Sequence, residues 1–185
     1  MQANPADIRA LRRTRGLTLA QVARRMDRSV GWVSQIERGL SRPDAADLSR
    51  LADVFDAPLS LLAPRARPGE EGRVTRAETR RPIGERVPGL TETLLSPDLT
   101  DGFELIHSTF APGARRDDPV TRATTEIVHL LSGRLQLTIG GAPYALGPGD
   151  TARLRGEPFT WANPGPNPAV AVWLITPAIY SQDPT

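Results

Sequence analysis

Between residues 5 and 62, apolar side chains recur at three- and four-residue spacing in short runs separated by Gly, Pro and Asp, which is the period of amphipathic helices. Ile8 and Leu11 mark the inner face of a first helix from Pro5 to Arg15, with Arg9, Arg13 and Arg15 outward and Gly16 as its stop. Thr18 and Gln21, three residues apart, form a capping box for a second helix carrying Leu19, Val22, Ala23 and Met26. After the short turn Asp27-Arg28, Ser29 caps a third helix of about ten residues that Gly39 ends in the left-handed conformation. Val33, Ile36 and Leu40 share one side of it, while Gly31, Ser34, Gln35 and Arg38 recur on another. Asp44 and Asp47 open a fourth helix bearing Leu48, Leu51, Ala52 and Phe55, and a last turn spans Pro58 to Leu62.

The period then changes. PRARPGEEG, from Pro64 to Gly72, mixes Pro, Gly and charge without apolar periodicity, as an exposed linker does. Beyond it, β-prone runs such as FELIHSTF, EIVHLL, RLQLTI and AVAVWLIT alternate with Pro/Gly/Asn/Asp turns, which predicts an antiparallel sandwich or barrel. The expectation is a helical domain over 1–64, a linker over 65–72 and an all-β domain over 73–185.

Composition narrows the function classes. The 185 residues contain no cysteine, which removes disulfides, thiolate metal sites and cysteine nucleophiles and points to a cytoplasmic protein. No stretch is long and apolar enough to span a bilayer. Residues 1–66 hold 11 Arg against 7 acids, a net +4, and residues 67–185 hold 12 Arg against 14 acids, a net −2. The basic excess therefore lies in the helical part, where small groups beside a Gln and an Arg on the third helix suit contact with base edges and phosphates. Two short helices joined by a tight turn, the second with that outward face, are the pattern of a DNA-binding helix-turn-helix.

GLTLAQVARRM, SVGWVSQIERG and RPDAADLSRLADVFDAPLSLL together resemble the lambda-repressor-like DNA-binding domain of the xenobiotic-response-element (XRE) family of transcriptional regulators, over residues 6 to 62. The resemblance implies five helices, with the third entering the major groove and Val30, Gly31, Ser34 and Gln35 nearest the bases. It also implies phosphate contacts around Thr18, Gln21 and Arg42, with Arg38 on the same face. Many relatives place a polar reader where this chain has Val30 or Gly31, so readout here leans on shape and apolar contact. Trp32 lies beside that face, packed either on a sugar-phosphate strand or over the domain's own core. Arg12 and Glu37 resemble a structural ion pair that ties the first helix to the third.

Residues 73 to 177 resemble a cupin, the small jelly-roll barrel. The first cupin motif is matched in spacing by Gly113, Pro119, Thr121, Glu126 and Gly133; the second runs from Gly147-Pro148-Gly149-Asp150 through Pro158 to Asn163. In metal-dependent relatives these motifs carry three histidines and a glutamate. Here Pro119, Thr121 and Phe159 stand at the histidine places, so only Glu126 remains, and one carboxylate does not hold a transition metal. The chain's two histidines, His107 and His129, read as ordinary barrel or interface residues; His129, three positions after Glu126, falls on the opposite face of its strand. With Glu126 inward, alternation brings Val128 and Leu130 inward, and Phe159 and Trp161 share the opposite wall. The expected interior is mostly apolar, with Glu126 and Thr121 for polar contacts, suited to a small organic molecule; the alternative is a barrel filled by its own side chains.

The reading is a non-enzymatic, cofactor-free, sequence-specific regulator that binds double-stranded DNA at a palindromic operator as a homodimer. Its barrel dimerises the chain and takes a small-molecule effector without a metal. The alternatives are a constitutive regulator with a purely structural barrel, a metal-independent cupin enzyme tethered to DNA, and an antitoxin-like partner-binding module.

Overall fold

A computed structural model describes residues 3–63, 66–84 and 87–180. The chain divides into two compact units: one holds the residues up to Ile83 with Ser96–Asp101 and Tyr180, the other Gly84–Leu95 and Gly102–Ile179. Pro64 and Arg65, at the start of the expected linker, lie outside the described residues. The division between compact units falls near Ile83 rather than within 65–72.

The first unit contains α1 (Pro5–Thr14), α2 (Leu19–Met26), α3 (Val30–Glu37), α4 (Ala45–Phe55) and α5 (Leu59–Leu62), then a 3-10 turn at Ala77–Thr79 and the first residues of strand β1 (Arg81–Gly84). The expected apolar stripes form its core except at Leu40, which lies past the end of α3 and is exposed: Ile8, Leu11, Val22, Met26, Val33, Ile36, Leu48, Leu51 and Phe55 are all buried. The capping box is formed in full, Asp44 caps α4 through the Asp47 amide, and Gly39 takes a φ of 72° just past α3. The carboxylate of Asp47 is not used as a cap. It receives Arg28 Nη2 and Arg50 Nη2, each at 3.0 Å. Burial works against its ionisation, but the two guanidinium hydrogen bonds and charges outweigh that and hold it below the ordinary carboxylate value.

Arg15, expected to point outward, is half-buried instead. Its guanidinium donates to Phe55 O at 2.5 Å and Asp56 O at 3.0 Å, carbonyls that the end of α4 leaves without an intrahelical donor, and to Tyr180 O at 3.0 Å. A second long-range clasp centres on Asp7, fully buried in α1, whose carboxylate accepts from Arg81 Nη1 at 2.9 Å and the Leu99 amide at 2.8 Å. Arg81 also donates to Leu61 O and Pro97 O, both at 2.7 Å, and the Tyr180 hydroxyl donates to Leu99 O at 2.8 Å. These bonds explain why residues beyond the expected linker pack with the helices. Burial pushes the Asp7 carboxyl above its ordinary value, against the lowering pull of Arg81 and the Leu99 amide.

The second unit is a two-sheet sandwich. Its strands are β2 (Leu90–Leu94), β3 (Glu104–Phe110), β4 (Arg115–Val120), β5 (Thr125–Ser132), β6 (Leu135–Ile139), β7 (Ala142–Leu146), β8 (Thr151–Arg155), β9 (Phe159–Ala162) and β10 (Ala169–Thr176). In the larger sheet β2, β3, β10, β5 and β8 lie side by side in that order; the smaller sheet runs β4-β9-β6-β7. Neighbouring strands among these are antiparallel, with Trp173 opposite Ile106 and Val128, and Leu137 opposite Trp161 and Tyr144. The sheets meet through Phe110 against Trp161, ring centroids 4.8 Å apart and edge-on, and Phe159 against Trp173 at 6.0 Å. Gly133 is required by the packing: with φ of 80°, a Cβ there would stand 2.6 Å from the Ala169 Cα. Buried Asn163 ties the loops together, its amide donating to Phe110 O, Ala111 O and Asn167 O.

Candidate functional site

Two places carry candidate chemistry: the outward side of α3 and the interior of the barrel. At the first, Ser29 Oγ accepts from the Trp32 amide at 3.1 Å, which sets the entry of α3, while Val33 and Ile36 anchor its inner side. Bidentate bonds from Arg12 Nε and Nη2 to Glu37 at 2.6 and 3.0 Å hold its far end to α1, and Arg12 Nη1 donates to Leu17 O. The expected structural pair is therefore present, with side chains 14% and 6% exposed.

The sequence-predicted readers stand together on the opposite side. Val30, 47% exposed, Gly31, Gln35 and Arg38 are exposed and Ser34 is half-buried. Arg38 donates back to Ser34 O at 3.2 Å. A Cβ built on Gly31 would meet only Ser29 Oγ, at 3.8 Å, so nothing inside the chain requires a glycine there. Thr18 and Gln21 are occupied in the capping box, where Gln21 Oε1 accepts from the Thr18 amide and hydroxyl at 2.8 and 3.0 Å and the Gln21 backbone amide donates to Thr18 Oγ1 at 3.2 Å; Gln21 Nε2 makes no hydrogen bond among the described residues. Arg42 is exposed and forms no ion pair among the described residues. Trp32 is half-buried at the edge of this face with the Arg28 guanidinium 5.2 Å over its ring, so the same arginine that binds Asp47 also covers the indole.

In the barrel, the expected inward set of Glu126, Val128 and Leu130 is buried, as are Phe159 and Trp161. A cavity of about 30 Å³ is lined by the rings of Phe110, Phe159, Trp161 and Trp173 and by Glu92, Arg116, Arg122 and Glu126. Val128 and Leu130 do not reach it. Thr121 does not either: it is exposed, because Val120 points inward and the period of two sends the next side chain out and Arg122 back in. The expected interior with a single carboxylate is thus corrected to one with four charged groups. Arg122 approaches both Glu126 oxygens at 3.5 Å, Thr124 donates to Glu126 Oε1 at 2.8 Å, and Ser108 donates to Glu92 Oε1 at 2.8 Å. Sequence reading missed Glu92 and Arg122 because neither falls on a cupin motif place; the alternation of buried and exposed positions in LTETL was the available signal for Glu92.

The donor set does not fit a metal. Pro119 and Thr121 are exposed, Phe159 offers only a ring, and the Glu126 carboxylate faces a guanidinium, whose charge opposes a cation there. Among the described residues no group of three His, Cys, Asp or Glu side chains is placed to hold an ion. His129 lies on the outer face, as alternation implies, with Nδ1 2.9 Å from Thr151 Oγ1. No helix among the described residues is long and apolar enough to cross a membrane.

Residues 6–64 match the family model of a helix-turn-helix domain and residues 106–175 that of a cupin domain. No curated protein matches the chain. Among solved structures, an HTH_3 family transcriptional regulator from Vibrio cholerae is 22% identical, with 93% of each chain covered and a TM-score of 0.44. The cupin domain of an XRE family transcriptional regulator from Enterobacter cloacae is 27% identical over 48% of this chain and 96% of that one, TM-score 0.44. KdgF from Halomonas sp. is 18% identical over 51% of this chain and 84% of that one, TM-score 0.46.

Proposed function

We propose that this chain, which matches a helix-turn-helix domain over residues 6–64 and a cupin domain over residues 106–175, is an XRE-type regulator of transcription that binds a palindromic operator as a homodimer, and that its barrel takes a small effector without a metal. The observation that carries the DNA part is the outward side of α3, where the small groups of Gly31 and Ser34 stand beside Gln35 and Arg38 between a capped start and a clamped end. Such a face admits the base edges of a major groove: Gln35 makes paired bonds to an adenine, Ser34 bonds either base type, and Val30 meets a thymine methyl. Gly31 lets the helix backbone approach. Thr18, Gln21, Arg38 and Arg42 bind phosphates and fix register, with Trp32 beside the sugar-phosphate strand. One such helix reads too few base pairs for an address in a genome, and two related by a twofold axis read two half-sites one or more helical turns apart.

In this reading residues 1–64 bind DNA and residues 73–185 dimerise and sense, in the cytoplasm, with no catalytic step. The cavity between Glu92 and the Arg122–Glu126 pair supports the sensing part, since burying the Glu92 and Glu126 carboxylates beside two half-buried arginines is costly and a polar ligand among aromatic walls makes use of them. Selection of operator sequences from random DNA by the full-length protein, followed by titration across salt, tests the proposal. A symmetric consensus and an affinity that falls steeply with salt are expected; an asymmetric or absent consensus overturns the palindromic homodimer.

A further inference from the structure

We propose that the outer face of β3, β10 and β5 is where a second copy of this chain docks, with the twofold axis running along β10. This rests on the homodimer reading above and goes beyond it by naming the face and the direction of the axis. An antiparallel sheet with one side in water carries polar residues at its outward positions. Here the middle strand β10 is apolar on both sides: Ala169, Ala171, Trp173 and Ile175 are buried inward, and Val170, Val172 and Leu174 point outward. Its neighbours add apolar side chains at one end of the face and histidines in its middle. Cross-strand pairing sets Leu105, Leu174 and Ile127 in one row and His107, Val172 and His129 in the next. Ile127 and Leu131, at this face, are 37% and 47% exposed.

The rim is polar, with Thr91 and Thr93 on β2 at one edge and Thr151, Arg153 and Arg155 on β8 at the other. An apolar centre inside a polar rim is the anatomy of a protein interface. At about 4.8 Å between strands and about 3.3 Å per residue, strands of 5, 7, 8, 8 and 5 residues project about 520 Å². Corrugation brings that near the roughly 800 Å² per partner of a stable dimer.

The occupant follows from symmetry and charge. Because β2 and β8 each lie two strands from β10, a twofold axis along β10 stacks β10 on β10 and lays the arginine side of each copy over the threonine side of the other. An axis across the strands would stack Arg153 on Arg153, a like-charge contact that selects against it.

The test uses the full-length protein, in which an introduced cysteine is the only thiol. Facing sheets stand about 10 Å apart, too far for a direct disulfide but within reach of a short bismaleimide. Val172→Cys should cross-link to a covalent dimer that still binds DNA, whereas Tyr144→Cys, exposed on the other sheet, should not. Leu174→Arg, at an outward position, should sediment as monomer where the wild type is dimer. Its barrel melting temperature should be unchanged and its operator affinity lower by about a hundredfold through lost avidity. Cross-linking of Val172→Cys no better than that of Tyr144→Cys, or a Leu174→Arg dimer, would overturn the face while leaving the dimer standing. A wild type that stays monomeric at every concentration and on DNA would overturn both.

Discussion

Replacing Gly31 by alanine separates what α3 needs for folding from what it needs for DNA. A glycine inside a helix is less favourable than alanine by about 0.8–1.0 kcal/mol, and in the first turn about half of that is expected. Nothing opposes the gain, since the added methyl meets only Ser29 Oγ at 3.8 Å, an ordinary contact. The helical unit should therefore gain about 0.4–0.5 kcal/mol, which in a domain of this size raises its melting temperature by roughly 2–4 °C. Operator affinity should move the other way. If Gly31 lies against base edges, the methyl holds the helix off the groove, and a tenfold loss would correspond to about 1.4 kcal/mol. Thermal melts followed by far-UV ellipticity give the first quantity, and fluorescence anisotropy with a labelled operator gives the second. A variant that melts lower would refute the account of α3 packing; one that is stabilised and binds DNA as tightly as the wild type would remove Gly31 from the interface.

Other outcomes are equally direct. Gln35→Ala and Ser34→Ala should each weaken the preferred operator by about 1–3 kcal/mol with little effect on non-specific DNA, while Arg42→Ala should weaken all DNA alike and reduce the salt slope by about 1, both read from anisotropy titrations across salt. Glu37→Ala leaves the Arg12 guanidinium without its bidentate partner and should cost the helical unit about 3–5 kcal/mol in urea unfolding, with the barrel transition unmoved. Asp47 carries a pH signature. Because its folded value is depressed below 3.8, its stabilisation is complete above that pH and is lost as pH falls through the folded value. The stability gap between the wild type and Asp47→Asn should therefore close below about pH 4, and a gap that widened on acidification would contradict the paired carboxylate.

The elements readable from sequence are those whose causes lie within four residues along the chain. Thr18 with Gln21, Ser29 before Trp32, Asp44 before Asp47 and Gly39 after α3 are local signals, because a cap bonds its own first turn. The inward set Glu126, Val128 and Leu130 follows likewise from a period of two. Tertiary structure alone decided the rest. Asp7 and Arg81 meet across 74 positions, and Arg15 reaches carbonyls 40 and 41 positions away, at distances over which sequence carries no period. Those bonds place residues beyond the expected linker with the helices. Glu92 joins Glu126 at one cavity only because β2 and β5 belong to one sheet with β3 and β10 between them, and strand order is set by long-range pairing. Arg122, not Thr121, enters the cavity because the turn after β4 fixes the phase of alternation, which a motif aligned by spacing leaves free by one residue.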